Sequence, residues 1–183
     1  MTYVVVDVEA DGPIPGDFSM VSFGAVIVET SLSRRFYGTL RPVSANWKPE
    51  ALAISGFTRA DTLGFDDPLV VIQRFEAWLT ANAKGRPIFV SDNNGFDWSF
   101  MNWYFHHFLG SNPFGFSSMN VGSLYKGLCK DTFVTWRHLR TTPHTHNPVD
   151  DAMGVAEALL RMKQEMGLKI SLGKPRPLAE NAA

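Results

Sequence analysis

One segment constrains this chain more than any other. Residues 2–9 read Thr-Tyr-Val-Val-Val-Asp-Val-Glu, and the chain breaks soon afterwards at Gly12-Pro13-Ile14-Pro15-Gly16. A short, Val-rich run bounded by turn residues reads as a buried central strand. Such a strand has little tolerance for charge, yet it carries Asp7 and Glu9. Side chains at i and i+2 share one face, so both carboxylates project together. Burying them is costly unless they are paired or hold a metal. Hard divalent cations such as Mg²⁺ favour oxygen-only ligands of this kind. The competing expectation is that both acids sit at the strand end, in solvent.

The rest of the chain can supply a core for that strand. Hydrophobic residues make up 45% of 183 and charged residues 19%, which suits one globular domain and excludes disorder for the bulk of it. The formal net charge of -1 excludes a blanket attraction to nucleic acid but leaves room for a local basic groove. Cys129 is a lone cysteine, so neither an internal disulfide nor a Cys-based zinc site can form. With no signal peptide and no membrane-length apolar run, a soluble cytoplasmic protein is expected.

Further strands are predicted at Phe18–Glu29, Arg34–Arg41, Pro87–Ser91 and Phe116–Asn120. Helices are predicted from Pro49 to Ala53, from Pro68 (capped by Asp67) to Ala83, from Phe96 to Leu109, from Val121 to Lys130 and from Pro148 to Met166. Three antiparallel strands followed by β/α alternation give an α/β fold, a mixed five-stranded sheet flanked by helices, as in proteins like ribonuclease H. Residues 1–170 form the expected single domain and 171–183 a flexible tail.

Two more segments carry acids on apolar faces. Asp97 opens the helix after the Pro87–Ser91 strand, in line with Phe100, Met101, Tyr104 and Phe105. A dipole-complementing surface acid is the alternative there. In the last helix, Asn147 caps and Pro148 leads. Asp150 then falls with Glu157, Arg161 and Glu165 on the polar face, whereas Asp151 falls beside Val155, Leu159 and Met162 and aims at the sheet. His146 lies just outside that helix, with His144 its nearest competitor for a role.

Asp7-x-Glu9, then Asn93-x-x-Phe96-Asp97, then His146-x(4)-Asp151 resembles the DEDD 3′–5′ exonucleases, in the subclass with a histidine five residues before the last aspartate. The segment Pro49–Thr58 is similar to the family's linker before its first long helix. There are departures: Asp92 stands where a histidine is frequent, Ala10-Asp11-Gly12-Pro13 where threonine and glycine are usual, and Asn120 where an aspartate is common. The resemblance implies a ribonuclease H-like fold and two Mg²⁺ or Mn²⁺ ions held by Asp7, Glu9, Asp97 and Asp151. It implies His146 as the base that activates water, and single-stranded RNA or DNA 3′ ends as substrate. The backbone of Ala10, Asp11 and Gly12 and the side chain of Asn93 are the expected nucleotide contacts, with Met20 and Trp98 as apolar or stacking surface and Arg140 for phosphates. A homodimer through the apolar 96–109 helix is a further expectation. The alternatives are a non-catalytic nucleic-acid-binding module, which has no need of four acids, and another metal-dependent phosphoesterase on the same fold.

Overall fold

A computed structural model describes residues 1–173. Its five-stranded sheet has the order β3-β2-β1-β4-β5, with β1 (Thr2–Ala10) at the centre. β2 (Met20–Ile27) runs antiparallel to β1, and β3 (Arg35–Thr39) antiparallel to β2. β4 (Pro87–Ser91) and β5 (Ser118–Asn120) continue in parallel on the other side. The mixed α/β sheet expected from the sequence is therefore present.

The alternation of β1 divides the core. Val4, Val6 and Val8 pack with Phe75 of α3 (Pro68–Asn82) and with Phe100, Tyr104 and Phe105 of α4 (Asn94–Leu109). Val5 packs on the opposite face with Val155, Ala156 and Leu159 of α6 (Pro148–Glu165) and with Val121 and Tyr125 of α5 (Val121–Cys129). The apolar run of α4 is largely accounted for by this core. Asp7 and Glu9 follow Val5 on the α6 face, at the carboxyl end of the strand.

Two glycines permit the close approaches that build the site. Asp7 pairs with Gly24 on β2, and a Cβ at Gly24 would lie 2.4 Å from the backbone of Pro148 and Val149. The start of α6 thus rests directly on the sheet beside Asp7. A Cβ at Gly154 would meet the Arg140 guanidinium at 2.5 Å, so a side chain there would displace Arg140 from its path across α6.

Several boundaries differ from expectation. β2 begins at Met20, because the chain before it turns to place Ser19 on Asp11. β5 is shorter than predicted, and Phe116 lies outside it, 94% exposed. A short helix α2 (Arg59–Leu63) was not legible; it is held by a reciprocal Thr58–Asp61 capping box rather than by apolar periodicity. The first residues of the expected tail are tied down: Ser171 Oγ donates to the Met1 carbonyl and the Gly173 amide to that of Val28. The rest of the tail lies outside the described residues. Among those described, no helix is long and apolar enough to cross a membrane.

Candidate active site

The four acids come from three elements. β1 carries Asp7 and Glu9, α4 carries Asp97 in its first turn, and α6 carries Asp151 in its first turn. One carboxylate oxygen from each of Asp7, Glu9 and Asp151 lies within 4.8 Å of the others. Asp97 reaches β1 from the other face, where its Oδ1 accepts the Val8 amide at 3.2 Å. Its Oδ2 is buried and has no hydrogen-bond partner. Asp151 and Asp97 are 3% and 1% exposed, whereas Asp150 accepts Thr145 Oγ1 near solvent, as its helical position predicts.

Burial shifts three of these groups, Asp7, Glu9 and Asp97. Burial, reinforced by Asp97, Glu9 and Asp151, raises Asp7 well above the usual carboxylate range. Glu9 is raised to about 7, by burial and then by Asp151. Asp97 is raised to about 8, chiefly by burial, which the Ser91 hydroxyl and the Val8 amide only partly offset. Mutually repelling oxygen donors and an orphaned buried oxygen fit hard divalent cations.

Asp151 is held in place from several sides. Its Oδ1 accepts Arg140 at 3.0 Å and the Thr145 amide at 3.2 Å, with His144 Nδ1 2.7 Å away, and its Oδ2 accepts the His146 amide at 3.0 Å. His146 has φ +60°, a left-handed conformation that turns its ring back toward the acids. Its Nδ1 lies 3.8 Å from Glu9 Oε1, and its side chain is about half exposed.

An open cleft of about 460 Å³ meets this cluster. Ala10, Gly12 and Asn93 line it, together with Asp7, Glu9, Asp97 and His146. Four expected contacts lie elsewhere. Met20 is fully buried in the core, and Trp98 packs edge-on against Phe89. Asp11 is fully buried, bonded to the Ser19 amide at 2.6 Å and to Arg59 at 2.8 Å. Arg140 spends its guanidinium on Asp151 and on the carbonyls of Thr142 and Pro143. The cleft instead uses Lys48, Ala51, Ile54, Phe96, Arg137 and His144. Of these, Ala51 and Ile54 belong to the Pro49–Thr58 segment, whose helix α1 (Pro49–Ile54) forms one wall. Arg137 belongs, with His138 and Arg140, to the basic stretch just before His146.

The exonuclease family profile matches this chain over residues 4–159. The chain belongs to that family. Its three acid-bearing segments all fall within the match, and it is a DEDD-type 3′–5′ exonuclease. The 3′–5′ DNA exonuclease Cap18 of Escherichia coli is 35% identical over 186 residues, covering 94% of this chain and 96% of that protein. The nuclease domain of 3′hExo, a DEDDh family member bound to rAMP, superposes with a TM-score of 0.72 at 17% identity, over 94% and 97% of the two chains. Exonuclease I of E. coli, in complex with a dT13 oligonucleotide, gives 0.68 at 15% identity over 88% of this chain and 41% of its own. These likenesses bear out the ribonuclease H-like fold of the exonuclease.

Proposed function

We propose that this exonuclease shortens single-stranded DNA from the 3′ end, releasing nucleoside 5′-monophosphates, with two Mg²⁺ or Mn²⁺ ions. The observation that carries the chemistry is the convergence of Asp7, Glu9 and Asp151 within 4.8 Å beside the unpartnered Asp97 Oδ2, open to a cleft. The choice of DNA is supported by the named activity of Cap18, similar along nearly its whole length.

Divalent ions held by Asp7, Glu9, Asp97 and Asp151 would balance the carboxylate charge and stabilise charge on the scissile phosphate. His146 takes the proton of the attacking water: its ring is accessible and turned toward Glu9, while His144 is engaged by Asp151. Arg140 fixes Asp151 rather than touching substrate. The terminal base lies between the Gly12–Pro13 backbone, Ile54 and Phe96, which offer flat apolar surface without selecting a sequence. Lys48 and Arg137, at the cleft walls, meet backbone phosphates.

The test uses matched 5′-labelled single-stranded DNA and RNA, with and without a 3′-phosphate, in Mg²⁺, Mn²⁺ or EDTA. The expected result is a metal-dependent ladder receding from the 3′ end, slowed by the 3′ block and faster on DNA. Faster loss of RNA would overturn the substrate assignment. Internal cuts would favour another phosphoesterase activity.

A further inference from the structure

His144 meets the acid cluster through Asp151, 2.7 Å away, but the proposed exonuclease chemistry gives it no step. It stands two residues before His146, and the left-handed backbone at His146 brings the two rings together edge to face, with centroids 4.4 Å apart. One nitrogen from each ring and one oxygen of Asp151 all lie within 4.8 Å of one another. Both rings are about half exposed, so an ion reaches them from solvent.

The donor set differs from that of the acid cluster. Two imidazoles and one carboxylate suit Zn²⁺ and its neighbours, whereas Mg²⁺ avoids imidazole and keeps oxygen ligands. Three protein ligands with an open fourth position are an ordinary zinc arrangement. The geometry is within reach. Ligand atoms around a tetrahedral zinc with bonds of about 2 Å stand roughly 3.3 Å apart. His144 Nδ1 and Asp151 Oδ1, now 2.7 Å apart, need to open only slightly, and the exposed His144 can move. The ion would sit between the two atoms. Arg140 already leans on the same Oδ1 at 3.0 Å, which weakens the site without blocking it.

We propose that His144, His146 and Asp151 form an inhibitory site for a borderline transition-metal cation, Zn²⁺ above all. Occupation takes the lone pair of His146 and redirects Asp151, so the acid cluster loses its base and one ligand together. Regulation by this route rests on the assignment of His146 as base; the binding of the ion does not.

The test separates the two. An Asp7→Asn variant, which disables the acid cluster but keeps both histidines, is titrated with Co²⁺ in excess Mg²⁺ while visible absorption is followed. A saturable ligand-field band is expected, lost when His144→Asn is added and displaced by Zn²⁺. In the Mg²⁺-loaded enzyme, Zn²⁺ is expected to lower the rate at least tenfold. His144→Asn, measured against its own zinc-free rate, should raise the Zn²⁺ concentration needed by tenfold or more. A cobalt band unchanged by His144→Asn, or no band in Asp7→Asn, would overturn the site. Cobalt binding with unchanged turnover in Zn²⁺ would overturn the inhibition. A protein that binds cobalt as expected but degrades no oligonucleotide would count against the proposed function and leave the ion site standing.

Discussion

Glu29 and Asp97 are each about 1% exposed, yet their carboxyls are shifted in opposite directions. Glu29 lies just past the end of β2. Burial alone would raise it, but Arg34 at 2.7 Å, the Arg34 amide and the Ser33 hydroxyl outweigh burial and lower it. Asp97, at the carboxyl end of β1, has one amide, a nearby hydroxyl, acidic neighbours and an unpartnered oxygen. Asp11 falls between: fully buried and paired with Arg59, but still raised, because burial outweighs the partner. Solvent exposure does not distinguish these acids; depth of burial and the partner together do. Glu29 is given its cation by the fold and is structural, whereas Asp97 keeps an unpartnered oxygen beside the acid cluster, where a cation from outside would serve it.

The largest effect expected from this contrast is on turnover. Asp97→Asn keeps an oxygen for the Val8 amide but removes the ligand charge, and should lower exonuclease activity on the order of 10³-fold. Its metal-free melting temperature should hold or rise, since a repelled buried acid is gone. A clear fall in melting temperature would place Asp97 with Glu29 instead. Glu29→Gln is the mirror case. Breaking a buried pair should cost about 3 kcal/mol of stability in denaturant titration, with kcat nearly unchanged.

Proton linkage sharpens the comparison. Glu9 and Asp97 titrate higher in the folded chain, about 7 and about 8, than their ordinary values of 4.5 and 3.8. The folded state therefore holds more protons, and the metal-free protein should lose stability as pH rises from about 4 to about 8. Divalent metal should restore it most at the alkaline end. Glu29 is lowered, so its contribution is present above 4.5 and is lost as pH falls through its folded value. Thermal melts across pH, with and without Mn²⁺, check both signs. The smallest effect is at the rim: Arg137→Ala should raise KM a few-fold with little change in kcat. An unchanged KM would remove Arg137 from the phosphate path.

The division between structural and reserved acids was partly legible in the sequence. Asp7 and Glu9 stood out because charge on a Val-rich strand conflicts with its setting, and Asp151 was separated from Asp150 by helical phase alone. Asp11 was misjudged because the family resemblance implied a nucleotide contact for its backbone, whereas the residue is fully buried. Its partner Arg59 is 48 residues away, on a helix that carries no periodic signal. Arg140 was misplaced for the same reason: its approach to Asp151 depends on Gly154, a long-range packing requirement. Local pattern shows what a segment needs to bury, but not which distant side chain arrives to meet it.

The most direct test of the central claim is calorimetric titration of the metal-free exonuclease with Mn²⁺ at neutral pH, in buffers of different ionisation enthalpy. If the raised acids are reserved for metal, binding should release protons, and Asp97→Asn should both weaken binding and reduce that release. Binding without proton release, unaltered by Asp97→Asn, would contradict it.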